Sequence, residues 1–162
     1  MTDPILSVKN LTVSFASEAG RVDAVRGVSF DLHPGKTIGI VGESGSGKSV
    51  TSLAIMGLLA DNARVGGSVV FDGIELLGKT DKQMSEIRGN GLSMIFQDPL
   101  TSLTPVFTIG DQLVEAIAAH RGVSKAQAWE RGIELLKTVG IPNAEVRMKA
   151  FPHEFSGGMR QR

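Results

Sequence analysis

The residues with the clearest potential for chemistry lie in one glycine-rich loop. The stretch Gly42–Ser49 matches the pattern Gly-x-x-x-x-Gly-Lys-[Ser/Thr] at every defined position. Its glycines allow backbone turns that aim successive N–H groups at one point, where the start of a following helix adds partial positive charge. Lys48 can then reach the β- and γ-phosphates of a nucleoside triphosphate, and the Ser49 hydroxyl can bind Mg²⁺. The residues predicted to contact the nucleotide here are Gly42, Glu43, Ser44, Gly45, Ser46, Gly47, Lys48, Ser49 and Val50.

The sequence on either side of this loop supports the interpretation. Ile38–Val41 is an unbroken apolar run, typical of a strand buried on both faces, and Ser49–Leu59 is predicted to form a helix. A glycine- and serine-rich linker before a helix would explain the glycines, but it would not require Lys48 followed by Ser49 at its end. The loop alone predicts nucleoside-triphosphate binding in general, because kinases, GTPases and motor proteins share it.

Two later segments contain residues suited to contact a nucleotide. Gln97 directly follows the apolar run Leu92–Phe96, and its side-chain carbonyl could bind Mg²⁺ or orient a water near the γ-phosphate. Ser156 is a suitable helix N-cap, and Gly157 and Gly158 leave the next N–H groups uncovered, which creates a second possible anion site. Taken alone, Gln97 is more simply a loop residue and Ser156 an ordinary cap.

Strand patterns dominate the first part of the chain and helical patterns the last, with the change near Gln97–Pro105. Helices are expected where apolar residues recur over Ile109–Ala118, and after the capping-box pair Ser124 and Gln127 until Gly140. The expected strands are Leu11–Phe15, Val28–Leu32, Ile38–Val41, Val69–Phe71 and Leu92–Phe96, with turns at His33–Gly35 and Asp72–Gly73.

The composition argues against several classes of protein. Lys and Arg number 17, as do Asp and Glu, so the chain has no net charge with which to attract nucleic acid or an anionic membrane. It contains no cysteine, which excludes disulfides, thiolate zinc sites and a cysteine nucleophile. The longest apolar run, Leu53–Ala60, is too short to cross a bilayer, and the first residues lack the pattern of a signal peptide. We therefore expect any work at a membrane to require a partner.

The order of three motifs resembles the ATP-binding subunit of ABC transporters. The phosphate-binding loop comes first, Phe-Gln-Asp-Pro at Phe96–Pro99 comes second, and Ser-Gly-Gly at Ser156–Gly158 comes third. The resemblance runs from about Leu6 to Arg162. It implies an α/β, P-loop NTPase (RecA-like) fold: an ABC ATPase core with an N-terminal antiparallel β subdomain, about residues 1–97, and an α-helical subdomain, about residues 98–162. The segments that look like oligopeptide and dipeptide importers are Gly42–Ser49, Phe96–Pro105 and Phe151–Arg162.

The resemblance also implies roles for single residues. Phe15 matches the aromatic residue that stacks on adenine, although it would otherwise be an ordinary strand residue. Gln97 matches the glutamine that senses the γ-phosphate and couples to the membrane subunit, and with Ser49 it is the expected Mg²⁺ ligand. Ser156, Gly157 and Gly158 match the signature motif, which in this family closes over ATP held by a second subunit. The expected cofactors are therefore ATP and Mg²⁺.

The function that the resemblance implies is energy coupling in an ABC importer for peptides, with ATP hydrolysis driving transport. The expected partners are transmembrane permease subunits, a second ABC ATP-binding subunit in a homo- or heterodimer and, indirectly, a solute-binding protein, but not nucleic acid. The expected location is the cytoplasmic face of the inner cell membrane, as a peripheral protein. Nickel or another small solute is an alternative cargo. The zero net charge disfavours an ABC ATPase of DNA repair or chromosome structure, and the late Ser-Gly-Gly disfavours a small-molecule kinase.

Four positions depart from the usual family pattern without removing a phosphate ligand. Lys36 stands in place of Glu, Thr104 in place of Asn, and Phe151 in place of Tyr. Met159 replaces the Gln of the general signature, although Met is usual there in the peptide importers. Of these, Thr104 bears on the conformation of the segment that follows Gln97.

No catalytic residue is predicted within the chain, because the family's Walker B Asp-Glu pair and switch histidine are expected beyond Arg162. We therefore expect a chain that ends before the Walker B strand, keeps its nucleotide contacts and lacks efficient hydrolysis. The alternative to an ATPase subunit is a nucleotide-binding fragment that does not hydrolyse ATP. Without later strands, the two buried-strand runs should expose edges and make the chain marginally stable or aggregation-prone. The three histidines, His33, His120 and His153, are interpreted as surface or structural residues.

Overall fold

The structure of the chain, a computed structural model, describes residues 3–17, 20–98 and 102–162, and of residues 120 and 121 it describes the backbone only. The chain forms two compact units, Met1–Leu92 and Ser93–Arg162, each with its own hydrophobic core. Pro99 of the predicted Phe-Gln-Asp-Pro motif and the side chain of His120 fall outside the described residues.

The first unit is built on a four-stranded sheet in the order β2-β1-β3-β4, in which every neighbouring pair is antiparallel. Its strands are β1 (Leu6–Ser17), β2 (Gly20–Leu32), β3 (Ala63–Phe71) and β4 (Ile74–Glu75), and its helices are α1 (Lys48–Met56) and α2 (Asp81–Ile87). The predicted antiparallel sheet is confirmed, as are three of the predicted strands, which lie within β1, β2 and β3. The predicted turns at His33–Gly35 and Asp72–Gly73 are also present.

Alternating residues of the central strand β1 form the core of this unit. Leu6 and Val8, and then Leu11 and Val13, are buried to 8% exposure or less. Strict alternation would turn the second pair outward, but the register shifts between Val8 and Leu11 against β2 and between Lys9 and Thr12 against β3. Asn10 takes a positive φ of 47° in this bulge, and the additional residue returns the later apolar side chains to the buried face.

Helix α1 packs on this core and has a glycine in left-handed conformation at each end, Gly47 before it and Gly57 after it. The sequence predicts a helix that continues to Leu59, but α1 ends at Met56. It ends there because the Gly57 N–H donates to the carbonyl oxygen of Ala54 at 3.1 Å, which closes the last turn with a residue that tolerates positive φ.

Two of the predicted strands are wrong. Ile38–Val41 and Leu92–Phe96 lie in irregular backbone, apart from one isolated bridge at Leu92. Val41 is 92% exposed and Ile95 is 94% exposed. A buried strand needs neighbours that complete its backbone hydrogen bonds and cover its side chains, and no strand in the described ranges pairs with either run. The apolar composition of both runs suits burial in a sheet, but that burial does not occur in this structure.

The second unit consists of helices packed around Met148, which is 0% exposed and lies in a core with Ile109 and other apolar residues. Its helices are α3 (Ile109–Arg121), α4 (Lys125–Thr138), α5 (Ala144–Arg147), a 3₁₀ turn (Pro152–Glu154) and α6 (Gly157–Gln161). The helical pattern that begins at Ile109 and the capping box of Ser124 and Gln127 are both confirmed. Across the described parts of both units, no helix has the length and apolar character needed to cross a bilayer.

We expect Val41→Ser to lower the aggregation of the chain while changing its free energy of unfolding by less than ~0.5 kcal/mol. Val41 is 92% exposed, so the substitution removes little burial and shortens an exposed apolar run. The matched control is Val69→Ser in β3, where the residue is 0% exposed and the change should cost about 2 kcal/mol or more. Urea unfolding and light scattering measure the two quantities, and equal losses of stability in the two variants would contradict this expectation.

Candidate phosphate-binding site

Of the predicted phosphate-contacting residues, Gly42–Gly47 form a tight loop directly before α1, and Lys48, Ser49 and Val50 form the first turn of that helix. The Ser46 N–H donates to the Glu43 carbonyl oxygen at 3.2 Å, which closes a turn over Ser44 and Gly45. Gly45 and Gly47 have φ values of 80° and 91°, in the region that glycine adopts at least cost. The structure thus bends the loop back on itself at the N-terminus of the helix.

Lys48 lies at the centre of this loop. Its ammonium group donates to the carbonyl oxygens of Gly42 at 2.7 Å and Glu43 at 2.6 Å, and to the Ser46 hydroxyl at 3.3 Å. The residue is half-buried, while its three hydrogen bonds lie at the exposed surface of the loop. Carbonyl dipoles hold the ammonium without neutralising it, so its charge remains able to attract an anion into the loop.

The start of α1 is a second source of positive potential. Gly47 precedes the helix and provides no side-chain cap, and the first turn contains no acidic residue. The first N–H groups of a helix have no carbonyl partner within it, and the helix dipole places about half a positive charge there. These donors, together with Lys48, suit a phosphate group.

The same turn offers one candidate ligand for Mg²⁺. The Ser49 residue lies in the first turn of α1 and is exposed. Within the described ranges, no group of three or more His, Asp or Glu residues could hold a metal ion without other ligands. A hydroxyl beside a phosphate loop fits Mg²⁺, which is usually bound by few protein groups and takes its other ligands from phosphate oxygens and water.

Strand β2 packs closely against Gly47, the last residue of the loop. A Cβ added to Gly47 would lie 2.5 Å from the carbonyl oxygen of Ala24, and one added to Gly42 would lie 2.6 Å from the Ser46 hydroxyl oxygen. Thr51 is buried and its Oγ1 donates to the Gly47 carbonyl oxygen at 2.9 Å. The contacts of Gly47 hold the end of the loop in place, so the first N–H groups of α1 are oriented before any ligand arrives.

A cavity of about 460 Å³ lies beside the loop. It is lined by residues of β2 from Val22 to Val28 on one side and by Gly45 and Ser46 on the other. This volume is within the range of small-molecule sites. Sequence reasoning missed the contribution of β2, because its residues show only the alternation of an ordinary strand and come next to the loop through tertiary packing.

Phe15 lies near the end of β1, where it is half-buried and packs against the core of the first unit. In the sheet it is opposite Ala63 of β3 and Val22 of β2, and Val22 lines the cavity beside the loop. The aromatic ring is therefore on the strand next to the cavity-lining segment. Its contact with a nucleobase stays a prediction.

The remaining predicted site residues lie in the second unit. Gln97 is exposed in irregular backbone. Ser156 is the N-cap of α6, as expected from the sequence, and its hydroxyl accepts a hydrogen bond from the Met159 N–H at 3.3 Å. Gly157 and Gly158 follow in open space, with nothing within 4 Å of a Cβ added to either. Their contacts with a nucleotide or metal stay predictions.

Comparisons with known proteins identify the family of this chain. The model of the ABC transporter family matches residues 25–162. The chain is 51% identical over 160 residues to the oligopeptide transport ATP-binding protein OppD of Escherichia coli K12. It is 54% identical over 162 residues to the dipeptide transport ATP-binding protein DppD of Bacillus subtilis 168. Each alignment covers 99% of this chain and 48% of the relative, so the chain spans about half the length of these curated relatives.

Solved structures share the same fold. The chain resembles the dimeric structure of MJ0796, a bacterial ABC transporter cassette, with a TM-score of 0.79 and 26% identity over 96% of this chain and 65% of that chain. A second structure of MJ0796, in a post-hydrolysis state bound to ADP and Pi, gives a TM-score of 0.77 and 25% identity with the same coverage. The predicted fold class is thereby confirmed.

We expect Gly47→Ala to destabilise the chain more than Gly45→Ala. Both positions have positive φ, which costs an alanine about 1–2 kcal/mol. A Cβ at Gly45 would have nothing within 4 Å, whereas one at Gly47 would lie 2.5 Å from the Ala24 carbonyl oxygen. The overlap should add about 1–3 kcal/mol. Urea unfolding of both variants measures the difference, and equal effects would show that β2 does not confine the loop.

Proposed function

This chain belongs to the ABC transporter family, and from that premise we propose that it binds ATP as the energy-coupling subunit of a peptide importer. The observation that carries the proposal is the Lys48 ammonium, held at the centre of a glycine loop that opens α1. Relatives at 51% and 54% identity are transport ATP-binding proteins for oligopeptides and dipeptides, which supports a peptide cargo. Nickel or another small solute is the alternative cargo.

The triphosphate is assigned to the loop and the first turn of α1. Backbone N–H groups of the loop and the Lys48 ammonium would bind its oxygens and compensate their negative charge. Mg²⁺, when bound, neutralises and orients the terminal phosphate oxygens. Ser49 would hold it through its hydroxyl, and Gln97 is the second protein ligand that the family resemblance implies.

The nucleoside is assigned to the cavity between the loop and β2. The volume of about 460 Å³ and the position of Gly45 and Ser46 on its wall place it beside the phosphate site. Phe15, on the strand that pairs with the cavity-lining segment, would stack on adenine, because an aromatic face offers a large apolar contact to a base.

Ser156, Gly157 and Gly158 are assigned to a nucleotide held by a second ABC subunit. The open space around the two glycines gives an approaching phosphate access to the start of α6. The similar cassette MJ0796 is dimeric in its solved structure, which supports such pairing. The second subunit could be a copy of this chain or a related one.

The second unit would dock on the transmembrane permease subunits. Val106 and Phe107 are 71% and 56% exposed directly before α3, and Phe151 is 37% exposed. The Ile109 N–H donates to the Ala150 carbonyl oxygen at 2.9 Å, which brings these two segments together. Neighbouring exposed apolar residues favour a protein interface. Docking would hold the chain at the cytoplasmic face of the inner membrane as a peripheral protein, indirectly linked to a solute-binding protein.

Nucleotide binding without efficient hydrolysis is assigned to these 162 residues, although members of the family are ATPases. Glu43 lies in the loop, where its backbone carbonyl oxygen accepts a hydrogen bond from the Lys48 ammonium. His153 stacks on Phe151 with ring centroids 5.7 Å apart, which favours a structural role for this histidine. The family resemblance places the catalytic Asp-Glu pair and the switch histidine after Arg162.

We expect the double variant Val106→Ser and Phe107→Ser to weaken association with co-expressed permease subunits. The change removes two exposed apolar side chains from the assigned docking surface. Val146→Ser is the matched control, since Val146 is 70% exposed on α5 and lies outside that surface. The measurement is the fraction of the chain that co-purifies with the permease in detergent, and equal recovery of both variants would rule out this docking surface.

We expect MgATP to raise the melting temperature of the chain, and Lys48→Ala to remove most of that rise. At about 100 times Kd, a ligand that binds only the folded state stabilises it by ~2.7 kcal/mol. Each shift is measured from the variant's own unliganded melting temperature, because Lys48 also bonds to the loop. Lys125→Ala, an exposed lysine of α4, is the control and should retain the full shift. An undiminished shift in Lys48→Ala would contradict the role of Lys48.

A further inference from the structure

Arg88 binds the end of α1 that lies opposite the phosphate loop. Its Nε donates to the carbonyl oxygen of Met56 at 2.8 Å, and its Nη2 donates to the carbonyl oxygen of Gly57 at 2.7 Å. Its Nη1 bonds to the carboxylate of Asp81 at 2.7 Å. The Arg88 side chain is only 19% exposed, and its bond to the Met56 carbonyl oxygen is partly shielded from water.

The sequence of α1 does not balance the helix dipole. The first turn contains no acidic residue and the last turn contains no basic residue. Lys48, at the first helical position, even adds positive charge to the end that is already positive. Arg88, which follows α2, supplies the missing cation at the carbonyl end, while the positive end remains directed into the loop.

The two ends of α1 move together. The helix has nine residues, which corresponds to a rigid rod about 14 Å long. A shift or tilt at its carbonyl end therefore moves the N–H groups that begin the phosphate loop. Asp81 is 89% exposed and its ion pair with Arg88 contributes little, so the two carbonyl bonds are the contacts through which Arg88 adds to the core packing that positions the rod.

We propose that Arg88 is a positioning residue for nucleotide binding, which fixes the carbonyl end of α1 and thereby the phosphate loop at the opposite end. The proposal rests on the proposed function of the loop and adds to it a residue outside the loop motif. Arg88 touches no ligand; it acts through Met56, Gly57 and the helix.

The test separates positioning from a general loss of stability. Kd for a fluorescent ATP analogue with Mg²⁺ is measured by titration well below the melting temperature of each variant. Arg88→Ala should bind about tenfold more weakly, the factor that ~1.4 kcal/mol represents. Arg88→Lys should lie between this variant and the parent chain, because an ammonium cannot reproduce the fork geometry of the guanidinium.

Met84→Ala is the control for packing at the same place. Met84 is 3% exposed, and its Cγ and Cε lie 3.6 Å from the position of a Cβ on Gly57. The variant should lower the melting temperature and leave Kd within about twofold of the parent, because both carbonyl bonds of Arg88 remain. Asp81→Ala should also leave Kd within about twofold of the parent, because it removes only an exposed ion pair and both carbonyl bonds of Arg88 remain.

The positioning role is overturned if folded Arg88→Ala binds the analogue as tightly as the parent chain. It is also overturned if Met84→Ala weakens binding by the same factor as Arg88→Ala at an equal loss of melting temperature. Should Arg88→Ala fail to fold, Arg88→Lys decides, since a parental Kd in that variant excludes positioning by the fork. A parent chain that binds no analogue at all contradicts the proposed function instead, so the two failures are distinguishable.

Discussion

The first unit depends on the close contact between Gly47 and the backbone of β2. At that point the chain takes a φ of 91° and has no room for a Cβ, since one would lie 2.5 Å from the Ala24 carbonyl oxygen. Only a glycine satisfies both conditions, and its conformation turns the chain from the loop into α1. This contact fixes the point where the loop ends and α1 begins, and Lys48 is the next residue along the chain.

The site relies on backbone N–H groups and on the Lys48 side chain, which backbone carbonyl groups hold in position. Carbonyl oxygens of Gly42 and Glu43 bind the Lys48 ammonium, and peptide N–H groups supply the other donors. A site of this kind needs a well-supported backbone more than particular side chains. The support comes from the bulged central strand β1, which brings Leu11 and Val13 into the core beneath α1, and from Arg88 at the far end of that helix.

In the second unit, close packing comes from a large side chain that lies against small residues. Met148 lies between two glycines: a Cβ on Gly110 would be 2.5 Å from its carbonyl oxygen, and one on Gly132 would be 2.7 Å from its Cε. The two longest helices can therefore approach the buried methionine closely. This compact core leaves the start of α6 and the apolar residues Val106 and Phe107 on the surface, where a partner can reach them.

Features set by short-range rules were predictable from the residues alone. The glycine loop, the capping box of Ser124 and Gln127 and the cap at Ser156 follow from steric and hydrogen-bonding preferences that act within a few residues. Features that need a distant neighbour were not predictable. The apolar run Ile38–Val41 looked like a buried strand, yet it is exposed because no described strand lies beside it. Two further features also join residues that are far apart in the chain: β2 lines the cavity beside the loop, and Arg88 bonds to the end of α1. Burial and bonds of this kind depend on which segments meet in space rather than on the order of residues along the chain.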